Sequence, residues 1–96
     1  MELSDVRYKI IEIFETVGIL IDDEIREDKK MDIDLSELLS NSIQWISIIT
    51  ELESVFDIAW PDDLLILENL KSLNVLTNTT LELINEKENR GNNNEI

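Results

Sequence analysis

The chain of 96 residues contains neither cysteine nor histidine. Without cysteine there can be no disulfide framework, no thiolate nucleophile and no cysteine-based zinc site. Without histidine the chain lacks the commonest general base and metal ligand. Because both absences lower the expectation of catalysis, we predict that the protein is not an enzyme, and any thiol chemistry would have to arrive on a cofactor.

Basic residues are also scarce, with 8 Lys and Arg against 22 Asp and Glu and a net charge of -14. Such a charge repels nucleic acid and anionic membranes and attracts a basic protein partner, although it could equally serve only to keep a small domain in solution. No stretch approaches the ~18 apolar residues of a membrane span, and the first residues lack the basic region of a signal peptide. We therefore expect no nucleic-acid partner, no membrane span and a cytoplasmic location.

Chain-breaking residues are few, since the sequence has one proline and two glycines and no β-hairpin dipeptide. The apolar residues recur at helical spacing, which predicts an all-α fold. The length suits one domain, which we place at residues 1–87. Residues 88–96 lack apolar periodicity and are predicted to be a disordered tail. No extended heptad pattern is present, and this favours a monomer.

The first helix is predicted at about residues 4–18, with Ser4 as N-cap and Gly18 as the stop. The apolar run at residues 19–21 should pack against the core. Residues 22–34 are charged and are predicted to form a long loop with room for a helical turn. Their acids do not match a calcium loop, which needs a glycine at the turn and a closing glutamate, so we predict no metal site.

The second helix, at about residues 42–56, has the clearest pattern. A shorter helix or turn should follow Asp62-Asp63, and a further helix should run from about residue 73 to 86 with Ser72 as its cap. The segment at residues 78–80 interrupts the apolar pattern of that last helix. The predicted core is Val6, Ile10, Phe14 and Val17, then Leu35, Leu38 and Leu39, then Trp45, Ile48, Ile49, Leu52, Val55 and Phe56, and finally Leu73, Leu76, Leu81 and Ile84.

Ser42 opens the second helix. A serine in such a position is usually an N-cap, but Asn41 precedes it and can cap instead, which leaves the Ser42 hydroxyl available. Unpaired backbone N–H groups and the helix dipole favour a phosphate at the first turn of a helix. A phosphodiester on Ser42 would therefore sit in a suitable local field.

The segment around this serine resembles the acyl and peptidyl carrier proteins. Their pattern is Asp-Ser-Leu at the head of the second helix, a leucine-glutamate pair, Phe-Asp-Ile and an Ile-Pro-Asp turn. The matching residues here are Asn41-Ser42-Ile43, Leu52-Glu53, Phe56-Asp57-Ile58 and Trp60-Pro61-Asp62, with no gap between Ser42 and Pro61. The first and last helices match only in a generic way.

The resemblance implies a small four-helix bundle with a long loop between its first and second helices. It also implies that Ser42 carries a covalent 4'-phosphopantetheine, transferred from coenzyme A by a separate Mg²⁺-dependent phosphopantetheinyl transferase. The thiol of that arm would hold an acyl or aminoacyl group as a thioester while loading and condensing enzymes act on it.

Three positions depart from the carrier pattern. Asn41 stands in place of aspartate, which keeps the capping role but removes a charge that partner enzymes commonly read. Leu39 replaces the usual glycine, and Trp60 replaces a smaller aliphatic residue, for which we expect a role in filling the core. None of these departures removes the hydroxyl of Ser42.

The face of the second helix opposite its core stripe is the predicted docking face for partners. It is only weakly acidic, so we expect docking through shape and apolar contact more than through charge. This favours a dedicated polyketide or nonribosomal-peptide pathway over fatty-acid synthesis, and a D-alanyl carrier also remains open. The predicted docking residues are Asn41, Ile43, Ile46, Ser47, Thr50 and Glu53.

An alternative from another functional class is an acidic helical interaction module without a prosthetic group, in which Ser42 would be an ordinary cap. An enzyme is the weakest alternative, because it would need a carboxylate pair with a raised pKa and no acid here stands alone on an apolar face.

Overall fold

A computed structural model of the chain describes residues 2–28, 30–37 and 42–93. Every regular element in these ranges is helical, apart from one isolated bridge between extended residues. This confirms the predicted all-α class. The helices are α1 (Leu3–Thr16), α2 (Asp23–Glu27), α3 (Ser42–Phe56), α4 (Leu67–Leu70) and α5 (Leu73–Asn93), with 3₁₀ turns at Leu35–Glu37 and Asp62–Leu64.

None of the helices in the described ranges is both long enough and apolar enough to cross a bilayer.

Helix α1 begins earlier than its sequence predicted. The N-cap is Glu2 rather than Ser4, because the Glu2 carbonyl already accepts the amides of Asp5 and Val6, each at 3.1 Å. Ser4 therefore lies inside the first turn, and its predicted capping role is wrong. At the other end the stop at Gly18 is confirmed, since its φ of +92° is a left-handed conformation that favours glycine.

The apolar run after Gly18 is only partly buried. Ile19 and Ile21 pack into the core, whereas Leu20 is 86% exposed, so the prediction that all three are buried is wrong for Leu20. No helix forms over these residues. Successive side chains of a non-helical, extended segment point in opposite directions, and only alternate residues can then face the core.

The charged segment after residue 21 contains helix α2, which lies against α1. Ile25 of α2 is buried, and an ion pair joins Arg26 to Glu15 of α1. Arg7, in the middle of α1, is only 4% exposed and donates hydrogen bonds to the carbonyls of Ile25 at 2.7 Å and Met31 at 2.6 Å. One buried guanidinium therefore fastens both α2 and the chain that follows it onto α1.

Burial lowers the pKa of Arg7, and the nearby carboxylates of Asp28 and Asp32 act in the opposite direction by favouring the charged form. A guanidinium with an ordinary pKa above 12 stays protonated even when burial lowers it. Arg7 is therefore a permanent positive charge in the interior, and its two carbonyl acceptors offset part of the cost of desolvation.

Helix α5 starts at the predicted cap, because the hydroxyl of Ser72 accepts the amide of Val75 at 3.2 Å. The helix runs unbroken through residues 78–80, where the apolar pattern is interrupted, as the predicted single helix requires. Thr77 and Thr80 are buried and donate their hydroxyls to the carbonyls of Leu73 and Leu76, at 2.7 and 2.8 Å. Such bonds satisfy the hydroxyl within the helix and allow threonine to face the core. The helix continues to Asn93, beyond the predicted end near residue 86.

The core lies between α1, α3 and α5, with α1 contacting both other helices and α4 packing on α5. Most predicted core residues are buried, and Trp60 is buried as expected. The prediction of burial is wrong for Val55, which is 45% exposed. Leu83 is buried, although it was not among the predicted core residues. Leu38 and Leu39 lie outside the described residues. The predicted core residues that are only half-buried lie at the edge of the core and are Val17, Trp45, Phe56 and Leu81.

Replacement of Leu52 by alanine should lower the free energy of unfolding by about 2–5 kcal/mol, because this leucine is fully buried in α3 and its loss leaves a cavity. The same change at the exposed Leu20 should cost less than about 0.5 kcal/mol. Urea denaturation of both variants measures the difference. Similar costs at the two positions would contradict the packing described here.

Candidate modification site and docking face

Ser42 is the first residue of α3, as its sequence predicted. The first amides of a helix have no intrahelical carbonyl acceptor, and the helix dipole adds a partial positive charge at the same end. An α3 of 15 residues is long enough to develop that field. A phosphate attached at Ser42 would therefore find a favourable environment. Asn41, the other residue predicted to act here, lies outside the described residues.

Beyond Ser42, α3 is divided into a buried and an open face. Ile48, Ile49 and Leu52 face the core, whereas Ile43 and Ile46 are 74% and 64% exposed. The two isoleucines are one helical turn apart, so they form a continuous apolar surface next to the first turn. The predicted orientation of these two side chains is confirmed, although their docking role stays a prediction.

The remaining predicted docking residues are less uniform. Thr50 is exposed, whereas Ser47 and Glu53 are half-buried. The Glu53 carboxylate accepts the backbone N–H of Trp60 at 3.0 Å. This bond ties the turn after α3 back to the helix. Glu53 therefore has a structural role in addition to any contact with a partner.

An apolar groove of about 450 Å³ adjoins Ile46, one of the two exposed isoleucines. One wall belongs to α3 and includes Ile46, whereas the other is supplied by Leu65 and by Leu70 of α4. The full lining is Trp45, Ile46, Ile49, Thr50, Glu53, Leu65 and Leu70. The second wall could not be predicted from the sequence, because Leu65 and Leu70 come near α3 only through tertiary packing. Their one signal in the sequence is the dense run of aliphatic residues after Asp63.

The carboxyl end of α3 is closed by an unusual turn. Asp57 has a φ of +52°, a left-handed conformation, and the next amide, that of Ile58, reaches back to the Glu53 carbonyl at 3.1 Å. The ammonium of Lys87 on α5 donates to the Asp57 carbonyl at 2.6 Å and also pairs with the Asp57 carboxylate. The turn is thus held by a side chain from another helix.

The carboxyl groups of Asp57 and Asp34 have a pKa below the ordinary value for aspartate. The hydrogen bond from Lys87, with its positive charge, lowers the pKa of Asp57. Hydrogen bonds from the hydroxyl and the amide of Ser36 lower the pKa of Asp34. Neither group lies beside Ser42 in the sequence. Within the described ranges no three acidic side chains come close enough together to hold a metal ion.

No family model, curated protein or solved structure matches this chain.

Replacement of Lys87 by methionine should raise the pKa of the Asp57 carboxyl toward about 3.9, the ordinary value for aspartate. Because the folded pKa lies below the unfolded one, the pair stabilises the protein above about pH 4, and this contribution is lost as the pH falls through the folded pKa. Carbon NMR of the Asp57 carboxyl across an acid titration measures the shift. An unchanged midpoint in the variant would contradict the pairing.

Proposed function

We propose that the protein is a carrier that holds acyl or aminoacyl intermediates as thioesters on a 4'-phosphopantetheine arm attached to Ser42. The observation that carries the proposal is the position of Ser42 at the first residue of α3, in a helix whose other end is the Phe56-Asp57-Ile58 turn. The residues that resemble the carrier pattern thus coincide with the two ends of one helix. The spacing between them equals the length of α3, and this supports the proposal.

The order of the helices along the chain also supports the carrier proposal. In a carrier-type four-helix bundle, α1, α3, α4 and α5 would be the four helices, and α2 would belong to the long connection between the first two. The packing of α1 against α3 and α5, and of α4 against α5, supports this arrangement. The short α4 would then be the third helix of the bundle.

The protein's own residues would supply attachment and orientation. The Ser42 hydroxyl would form the phosphodiester, and the amides of the first turn of α3 would face the phosphate. The arm, when bound, supplies the thiol that this cysteine-free chain lacks. Ile43 and Ile46 would give partner enzymes an apolar surface beside the attachment point.

The charge distribution favours partners that dock mainly by apolar contact. Helix α3 has only two acids, Glu51 and Glu53, and the Glu53 carboxylate is already engaged by Trp60. Most of the -14 charge lies elsewhere in the chain. Partners of this kind would be a phosphopantetheinyl transferase and the loading and condensing enzymes of a dedicated polyketide or nonribosomal-peptide pathway.

Incubation with coenzyme A, Mg²⁺ and a broad-specificity phosphopantetheinyl transferase should add a single phosphopantetheine, measured as intact mass. The Ser42→Ala variant should gain nothing. Ser54→Ala, which changes another serine of the same helix, should be modified like the wild type. If the wild type gains no mass with two different transferases, the carrier proposal fails and the acidic interaction module becomes the leading account. Loading of Ser42→Ala would show that the site is elsewhere.

The exposed isoleucines allow a separate prediction about docking. Ile46→Asp should lower the kcat/KM of phosphopantetheine transfer to Ser42 at least about ten-fold, because a charge replaces apolar area in the contact with the transferase. Leu20→Asp, at another highly exposed position, should leave the rate unchanged.

Salt distinguishes apolar docking from steering by charge. If docking is mainly apolar, kcat/KM for the wild type should change less than about three-fold between about 0.05 and about 0.5 M NaCl. A steep fall with salt, or equal effects of the two aspartate variants, would contradict docking through the isoleucine surface.

A further inference from the structure

The residues from Lys30 to Leu35, here called the strap, lie against the beginning of α5. The backbone of the strap pairs with the chain before that helix, since Leu35 donates its amide to the Lys71 carbonyl at 2.6 Å and Leu73 donates to the Ile33 carbonyl at 3.2 Å. These bonds surround the isolated antiparallel bridge between Asp34 and Ser72. The strap and the start of α5 thus form a short two-stranded contact.

The Asp32 carboxylate adds a second set of bonds. One oxygen accepts the Ser72 hydroxyl at 2.7 Å, and the other accepts the backbone amide of Asn74 at 2.9 Å. Asp32 therefore supplies part of the N-cap of a helix that begins about forty residues later in the chain. A carboxylate is a strong acceptor for the free amides at this end of a helix.

The other side of the strap is fixed to α1. The Met31 carbonyl accepts a hydrogen bond from the buried Arg7 at 2.6 Å. Met31 and Ile33 pack at the edge of the core, and Leu35 is fully buried. The strap is thus bonded to α1 on one side and to the start of α5 on the other, and its apolar side chains pack on the core.

The strap also reaches the groove through a very short connection. Only Lys71 and Ser72 separate α4 from α5, and both are bonded to the strap. Leu70, which lines the groove, directly precedes Lys71. Helix α4 has four residues, far fewer than a helix needs to be stable alone in water. Its position must therefore be set by its surroundings.

We infer that the strap sets the position of α4 and thereby the width of the groove between α3 and α4. Release of the Asp32 bonds would free the Ser72 hydroxyl and the Asn74 amide, leave Lys71 held through the Leu35 amide, and allow α4 to move away from α3 and open the groove. The strap thus couples the connection between α1 and α3 to the width of the groove. This inference does not depend on modification at Ser42.

The test is Asp32→Ala, followed by NMR. Release of α4 should accelerate hydrogen exchange at the Asn69 amide, which is bonded to the Ile66 carbonyl, by about five-fold, the factor expected for the loss of one cap. The indole N–H signal of Trp45, in the opposite wall of the groove, should shift in the same variant. Buried amides of α1 should exchange as in the wild type.

Asp34→Ala is the matched control, because among the described residues the Asp34 side chain accepts hydrogen bonds only from its neighbour Ser36. It should leave the Asn69 amide and the Trp45 indole unchanged. If Asp32→Ala accelerates exchange only at Asn74 and Val75, with Asn69 and Trp45 as in the wild type, Asp32 is a cap alone and the inference is overturned.

A second variant covers the case in which Asp32→Ala does not fold. Asp32→Asn keeps an oxygen for the Asn74 amide but replaces the oxygen that accepts the Ser72 hydroxyl. It should give smaller changes at the same two reporters, and wild-type signals at both would overturn the inference.

Discussion

The burial of α3 on one face only is the constraint on which the rest of the molecule depends. Ile48 and Leu52 are sealed in the core, and this fixes the rotation of the helix about its axis. Once that rotation is fixed, Ile43 and Ile46 must face outward, and the beginning of the helix must be presented beside them. The candidate site is therefore a consequence of core packing. A core substitution that rotated α3 would turn Ile43 and Ile46 away from the surface, although neither residue was changed.

The long connection between α1 and α3 is ordered by polar bonds as much as by apolar burial. Arg7 of α1 donates hydrogen bonds to two carbonyls of the connection, and Asp32, near the end of the connection, accepts a hydrogen bond from Ser72 just before α5. These bonds matter in a protein with so many acids, because self-repulsion works against a compact state. The same bonds reach the residues that hold α4, so the order of the connection and the shape of the groove are linked.

Periodicity alone was sufficient for the part of the fold that is amphipathic. The outward position of Ile43 and Ile46 follows from 100° per residue, whereas the same pattern wrongly placed Val55 in the core. Periodicity could not reveal Thr77 and Thr80 in the core, because their burial depends on hydroxyl bonds to the preceding turn. The exposure of Leu20 depended on the absence of a helix after Gly18, where helical spacing no longer applies.

Polar contacts between residues far apart in the chain could not be predicted from the sequence either. Arg7 carries no local signal in the sequence, and only the folded chain brings the carbonyls of Ile25 and Met31 to it. The groove escaped prediction for the same reason, since Leu65 and Leu70 line it together with Trp45 only in the folded chain. The resemblance to carrier proteins identified Ser42 through a local motif, and a local motif does not describe the surface around it.

The most direct test of the account is an NMR comparison of the protein before and after treatment with coenzyme A and a phosphopantetheinyl transferase. The account predicts a new phosphodiester phosphorus signal and amide shift changes concentrated at the first turn of α3, around Ile43 and Ile46, with the core unchanged. The absence of a phosphorus signal, or shift changes centred on another part of the molecule, would contradict the central claim that α3 presents Ser42 as the attachment point of a carrier.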